Sequence, residues 1–391
     1  MNRNAVIVSA VRTPIARRAG ALASLPPHKY GAVVVEEAMD RAGVTAEMID
    51  DVILGNVLSG GGNIARLTAL ETGLSLEVPG LTIDRQCGSG ISAIHLAAQA
   101  INAGDGDVYI AGGVESYSQA PFRMKRSSRA YPMQPPKFQK SFQLSPDEVG
   151  NPPMGITAEN IAKKYHVSRR EQDEFALESQ RKMARAMEEG RFDEQIVPIS
   201  VPQRKGEPYL FDTDEHPRPN TTLEALAGLP PAFAEGGTVT AGSSSGLNDA
   251  ASALVVMSRE KADSLGLKPL AVVRERSVAG VDPNIMGIGP VPATRKILEK
   301  SGLSLDDLDL IEINEAFAAQ VIACDHELQM DPTKVNVNGG AIAHGHPLGA
   351  TGAILATKAI YELKRIEGRL ALVTACVGGG QGIAVILERE S

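Results

Sequence analysis

Two distant stretches of the chain follow one pattern: strand, glycine-rich loop, helix, strand. In the first, Leu81-Thr82-Ile83 leads into Cys87-Gly88-Ser89-Gly90, then a helix, then Val108-Tyr109-Ile110-Ala111 closing on Gly112-Gly113. In the second, Val335-Asn336-Val337 leads through Gly339-Gly340 to His346-Pro347-Leu348-Gly349. A helix from Thr351 to Lys364 follows, then a strand from Leu370 to Ala375 that closes on Cys376 and three glycines near it. Self-similarity of this kind reads as a duplicated unit. Two copies facing each other bring their glycine loops together, with candidate reactive residues at equivalent turns. Strands alternating with helices also call for an α/β layer with a mainly parallel sheet.

The flanking segments fit that class. Strands are expected at Ala5 to Ala10, Asp51 to Val57, Asp107 to Ala111, Ala253 to Met257, Ala271 to Arg276, Leu308 to Ile313 and Ile383 to Leu387, and helices at Tyr30 to Ala42 and Ile91 to Ala103. From Pro121 to Pro231 the texture changes, since this stretch holds 14 of the 24 prolines. It reads as an inserted loop domain. Its clearest element starts at the capping box Ser168-x-x-Glu171, runs as a polar amphipathic helix to Glu189 and stops at Gly190. The expected division is a first half over 1–118 plus 248–267, an insert over 119–247 for substrate and subunit contacts, and a second half over 268–391.

A formal net charge of −8 argues against a general nucleic-acid or anionic-membrane binder. Three cysteines far apart, Cys87, Cys324 and Cys376, do not make a secreted disulfide framework, so a reducing cytoplasm is the expected location.

Cys87 sits between a strand and a helix start. The positive end of a helix and its free amides lower a thiol pKa, and the cysteine's own N–H can bind an oxyanion formed on attack. A small buried cysteine beside a structural turn has the same local sequence. Cys376 ends an apolar strand before Val377-Gly378-Gly379-Gly380-Gln381-Gly382. Such a turn can offer N–H groups to an anion and leave the thiol exposed, or the cysteine can be a buried strand end. Cys324, on a helix expected from Glu315 to Gln329, is assigned to the core. His344 and His346 are both candidate bases; as half of a metal site they lack a second cluster of ligand spacing. Asn314-Glu315 follows a strand at an expected helix start, where the structural reading of Asn314 is an N-cap.

Taken together, these pieces resemble one family. The thiolases, acetyl-CoA acyltransferases, are matched nearly end to end: Val8-Ser9-Ala10-Val11-Arg12-Thr13-Pro14, Asn63-Ile64-Ala65-Arg66, Gln86-Cys87-Gly88-Ser89-Gly90 and Gly112-Gly113-Val114-Glu115-Ser116 come first. Then follow Thr157-Ala158-Glu159-Asn160, Gly237-Thr238-Val239-Thr240-Ala241-Gly242, Ser245-Gly246-Leu247-Asn248-Asp249, Asn314-Glu315-Ala316-Phe317, Gly345-His346-Pro347-Leu348-Gly349 and Cys376-Val377-Gly378-Gly379-Gly380. The resemblance implies the thiolase fold, two similar five-layered α-β-α-β-α halves with an inserted loop domain.

It also implies an activity: CoA-dependent cleavage of 3-ketoacyl-CoA to acyl-CoA and acetyl-CoA, and the reverse Claisen condensation, through an acyl-cysteine. By similarity Cys87 is the nucleophile, His346 activates it and Cys376 moves the α-carbon proton. One oxyanion site is His346 with a water held on Asn314, and the other is the N–H groups of Cys87 and Gly378. Coenzyme A is then substrate and product, with no tightly bound cofactor and no metal. Similarity places its contacts at Arg218, Phe233, Ala241 and Ser245, with Met154, Met286 and Phe317 toward the acyl or pantetheine end. The basic run Arg123, Lys125, Arg126, Arg129, Lys137 and Lys140 is a landing site for its phosphates or a subunit contact. Short-chain members carry His-Met-Gly where this chain reads Pro153-Met154-Gly155, which opens longer or branched acyl chains. The resemblance further implies fatty acid metabolism, β-oxidation and a homodimer or homotetramer. Alternatives are a ketoacyl synthase-like decarboxylating enzyme, which needs no second thiol, a cysteine-dependent thioester hydrolase, which leaves Cys376 idle, and a non-catalytic acyl-CoA carrier, which has no reason to keep all four catalytic positions.

Overall fold

The computed structural model describes residues 4–59, 62–127, 130–131, 135, 137–139, 142–203 and 205–390. The first half runs β1 (Ala5–Arg12), β2 (Ala16–Arg17), α1 (Pro27–Ala42), β3 (Asp51–Gly55), α2 (Ile64–Glu71), β4 (Gly80–Ile83), α3 (Ser89–Ala103) and β5 (Val108–Glu115). The insert carries α4 (Met154–Lys164), α5 (Arg169–Glu188), a small hairpin of β6 (Ile199–Val201) and β7 (Tyr209–Phe211), and α6 (Leu223–Ala227). The chain then re-enters the first sheet with β8 (Asn248–Ser258) and α7 (Arg259–Ser264). The second half is β9 (Ala271–Gly280), α8 (Pro290–Ser301), β10 (Leu310–Ile313), α9 (Ala318–Leu328), α10 (Ala341–His344), α11 (Leu348–Arg365), β11 (Leu370–Val377) and β12 (Gln381–Glu388).

The strands follow the order β10-β11-β12-β9-β1-β8-β5-β3-β4. Within the sheet the two halves meet where Val6 and Ile7 of β1 pair with Val272 and Ala271 of β9. Parallel pairs β3–β4, β3–β5 and β10–β11 come from strand–helix–strand crossovers, whereas β8 returns antiparallel between β1 and β5. Strands β5, β8 and β11 are buried at every residue, as sheets covered on both faces require. Three apolar cores stack: α1 and α2 on the first sheet, α3 and α11 between the sheets, and α8 and α9 on the second. Five layers therefore run through the pair of halves, with α3 and α11 as the central one. Among the described residues no helix is long and apolar enough to cross a membrane.

The central helices touch at glycine. A Cβ on Gly90 would stand 2.5 Å from the backbone nitrogen of Ala353, and one on Gly352 would stand 2.4 Å from that of Ile91. Backbone approaches backbone there, which places the beginnings of α3 and α11 side by side.

Helix α5 has the expected capping box: Glu171 N–H donates to Ser168 Oγ at 3.2 Å and Ser168 N–H to Glu171 Oε2 at 2.7 Å. Three expectations need correction. The sheet is mainly antiparallel rather than mainly parallel, because β8, β9 and β12 run against their neighbours: β1–β8, β5–β8, β1–β9, β9–β12 and β11–β12 are antiparallel, against the three parallel pairs made by crossover helices. The strand expected from Asp51 to Val57 ends at Gly55, because the N–H groups of Val57, Leu58 and Ser59 turn away from a ladder and donate to the Glu115 carboxylate. The helix expected from Glu315 starts at Ala318 with Phe317 as N-cap, so Asn314 is not a cap. Glu315 is instead buried as an acceptor for Ser179 Oγ, Asn336 Nδ2 and Ile342 N–H, which pulls its segment into extended backbone.

The insert is tied to the first strand by a buried ion pair. Both Arg12 guanidinium NH groups meet Asp214, at 2.7 and 2.9 Å, while Arg12 Nε reaches Gln195 and its face lies over Phe192. Breaking one partner of such a pair strands a buried charge. We predict that Asp214→Ala lowers stability by about 3–5 kcal/mol in urea unfolding, with the loss seen first in the insert by hydrogen exchange.

Candidate active site

Cys87 stands at the entrance to α3, just before the N-cap Gly88. The turn that delivers it is sharp: Gln86 adopts φ +45°, unusual for a non-glycine residue, and is held by its N–H and Nε2 on Asp84 Oδ1, at 2.8 and 3.0 Å. From the second half, the loop between α10 and α11 brings His346 to the same spot, so that Nε2 lies 3.1 Å from Cys87 Sγ. The other ring nitrogen, Nδ1, is 2.7 Å from Thr351 Oγ1. The backbone N–H of His346 donates to Asn248 Oδ1 at 3.0 Å. Asn314, at the end of β10, places Nδ2 3.4 Å from His346 Nε2 and leaves Oδ1 buried without a protein partner. That orphaned acceptor is a seat for an ordered water.

The turn after β11 closes the site. The N–H of Gly378 points at the Cys87 sulfur, as does the N–H of Cys87 itself, and both pull the thiol pKa down. Burial nevertheless dominates and pushes Cys87 up to about 12. The expectation that a helix terminus would favour thiolate is thereby overturned: the half-charge of the terminus does not make up for taking a thiolate out of water. Burial likewise pushes His346 down to about 4. Both shifts favour the neutral thiol and the neutral imidazole over an ion pair. Cys376 is fully buried, as the strand-end reading of its sequence has it, and its pKa is raised by that burial and by the nearness of Cys87 and Cys324.

The other expected residues are spread over several places. Met154, Met286 and Phe317 gather with Ala158, Val239 and Ala316 in one apolar cluster around Cys376. Phe233, partly exposed, meets Phe317 edge to face at 5.9 Å, and Ser245 N–H is anchored on Ala316 O. Arg218 and Ala241 are exposed on the insert and its return. Of the basic run, Arg123, Lys125, Arg126 and Lys137 are exposed beside the isolated Met124–Phe138 bridge, while Arg129 and Lys140 lie outside the described residues. His344 is buried in α10 with Nδ1 on Gly345 O at 2.8 Å, and burial holds its pKa well below the ordinary value. Cys324 is buried on α9, its thiol on Gly287 O. Among the described residues no group of His, Cys, Asp or Glu gathers as a metal site.

Three positions escaped functional reading in the sequence. Asn248 and Thr351 hold the backbone and ring of His346, and Glu115 accepts from the N–H of Gly349 at the start of α11 as well as from the loop after β3. A carboxylate ending an otherwise apolar strand was the available signal for Glu115.

A buried thiol on an imidazole, with N–H groups converging on the sulfur and a second thiol behind it, can take up an acyl group and move a proton at an adjacent carbon. The comparisons agree. The models for thiolase, N-terminal domain, and thiolase, C-terminal domain, match residues 5–260 and 267–389. An acetyl-CoA acetyltransferase of Pseudomonas aeruginosa is 50% identical over 392 residues, covering 99% of this chain and 100% of that one. The crystal structure of the Bacillus anthracis acetyl-CoA acetyltransferase superposes with a TM-score of 0.95 at 46% identity and full coverage of both chains. Human mitochondrial 3-ketoacyl-CoA thiolase in complex with CoA gives 0.94 at 41% identity, over 99% of this chain and 98% of that one. The chain belongs to the thiolase family. It is an acyltransferase with thiolase activity.

The buried imidazoles set an acid limit on the fold. His346 and His216 are pushed down to about 4 and His95 to about 3, each chiefly by burial, from an ordinary value of 6.5. As pH falls below about 6.5 the unfolded chain takes up these protons first, so stability present above that pH is lost through about pH 4. Urea midpoints measured from pH 7.5 to 4.5 are expected to fall monotonically, and less steeply in His95→Asn.

Proposed function

We propose that the two sulfurs divide the thiolase reaction. The Cys87 proton passes to His346 Nε2 and the sulfur attacks the keto carbon of a 3-ketoacyl-CoA, forming the C–S bond while the carbonyl π electrons move to oxygen. The N–H groups of Cys87 and Gly378 receive that oxyanion. Collapse re-forms the carbonyl and breaks the bond to the α-carbon, whose electrons go into the thioester enolate, met by His346 and a water on Asn314. Cys376 supplies the proton that turns the enolate into acetyl-CoA; free coenzyme A then gives its thiol proton to Cys376 and attacks the acyl group, and the departing Cys87 sulfur takes back its proton from His346. The observation that carries this reading is the 3.1 Å contact between Cys87 Sγ and His346 Nε2, made by equivalent turns of the two halves.

In this reading the acyl chain lies along Met154, Met286 and Phe317, and Arg218, Phe233, Ala241 and Ser245 hold coenzyme A. Proline at position 153 in place of a histidine favours acyl groups longer than acetoacetyl and, with them, a degradative role, while three unpaired thiols suit a reducing cytoplasm. Thiolysis is followed as loss of 3-ketoacyl-CoA enolate absorbance with and without free CoA. We expect Cys376→Ala to lose about 10²–10⁴-fold in CoA-dependent cleavage while mass spectrometry still shows acyl transfer onto Cys87, and Cys87→Ser to lose both. Near-normal cleavage by Cys376→Ala sinks its assigned role, and a strict preference for acetoacetyl-CoA sinks the chain-length reading.

The same reading includes a homodimer through β4. The far edge of β10 is covered by Lys334 to Asn336, whereas β4 ends the sheet with no partner strand beyond it among the described residues. Leu67, Leu70, Leu76 and Leu81 are exposed around it. An open edge beside apolar side chains is the usual seat of strand pairing. Sedimentation velocity is expected to give twice the chain mass, with Leu81→Lys shifting it toward one; a monomeric wild type overturns the assignment.

A further inference from the structure

Thr351 is fully buried in the first turn of α11 and faces the ring of His346. Its Oγ1 lies 2.7 Å from Nδ1, while Nε2 meets Cys87 Sγ at 3.1 Å and Asn314 Nδ2 at 3.4 Å. A neutral imidazole carries one N–H and one lone pair, so its two nitrogens cannot play the same part. To take the thiol proton, Nε2 must offer its lone pair, and an amide N–H of Asn314 directed at that atom makes the same demand. The ring proton then belongs on Nδ1, where burial leaves it in need of an acceptor within the protein.

Thr351 meets that need through the geometry of the helix. Side chains in a helix lean toward its N-terminus, so the hydroxyl of a residue in the first turn is carried back over the segment that precedes the helix, here His346-Pro347. Branching at Cβ restricts the rotamers it can choose. The start of α11 is itself fixed against the first half, because Gly349 N–H donates to Glu115 at 3.0 Å. Glu115 comes from β5, in the same sheet as the strand that leads to Cys87. The distance from Thr351 to His346, and from His346 to Cys87, is therefore set by rigid elements rather than by a free loop.

We propose that Thr351 is the positioning residue for His346: its hydroxyl accepts the Nδ1 proton, fixes the ring in the tautomer able to deprotonate Cys87, and steadies the imidazolium once that proton has moved. The inference rests on the reading of His346 as the base for Cys87. Burial disfavours a charged imidazole at this place, which is why a partner for the second N–H of the imidazolium matters.

The test uses the full-length enzyme with Thr351→Val, which keeps the shape and removes the hydroxyl, and Thr351→Ser, which restores it. The readouts are the rate of Cys87 alkylation by iodoacetamide, followed by mass on the Cys87 peptide across pH, and CoA-dependent thiolysis. Loss of a hydrogen bond to a charged group is worth roughly 10- to 100-fold. Thr351→Val is expected to slow both reactions by that factor while the protein stays folded. Its alkylation should lose the plateau at neutral pH and rise only toward high pH, where the thiol ionises without help. Thr351→Ser is expected to recover both the rate and the plateau. Wild-type alkylation by Thr351→Val, or a serine variant as slow as the valine one, overturns the proposal. Should the valine variant not fold, Thr351→Ala is compared with Thr351→Ser in the same way. His346→Asn separates the two levels: if it slows alkylation while Thr351→Val does not, the role of Thr351 alone falls, and if it leaves alkylation untouched, the base assignment falls and takes Thr351 with it.

Discussion

The fold hangs on how closely two helices can approach. Helices α3 and α11 come from different halves, yet the turns before them must bring a sulfur and a ring nitrogen to 3.1 Å. Glycine at 90 and 352 lets backbone pass against backbone where they cross. The sheets then have to sit on either side of that pair, which is why the cores stack in layers and the site opens where both helices begin. Charges that would otherwise weaken such an interior are used to tie its pieces: Arg12 with Asp214 holds the insert to the first strand, and Lys358, bonded to Glu312 and to Gly339 O, fixes the approach to α10.

Much of this was legible in the sequence, and for a physical reason. Patterns that depend on the local chain survive translation into structure, so the capping box at Ser168 and the stop at Gly190 mark α5 within a residue or two. The duplicated strand–loop–helix pattern is also local in each copy, and facing copies bring Cys87 and His346 together. Signals that depend on distant partners were invisible. Glu315 looked like the first residue of a helix, but three donors from elsewhere hold it in extended backbone. Glu115 shortened a strand that hydropathy alone would have continued.

Electrostatics shows the same division. A helix terminus is a local feature and argues for a low thiol pKa, whereas burial is a property of the finished fold and argues the other way. Here burial wins at Cys87, Cys376 and His346 alike. The site thus holds its protons tightly at rest and has its N–H donors already in place for charge that appears only during reaction, the condition under which fixed dipoles are worth most.

A nucleophile stored in this form has a chemical consequence that reaches beyond turnover. Peroxides and stray electrophiles attack thiolates, and Cys87 becomes one only as the neighbouring ring accepts its proton. The same buried setting that makes Cys87 reluctant to ionise therefore ties its reactivity, toward substrate and stray reagent alike, to the ring of His346.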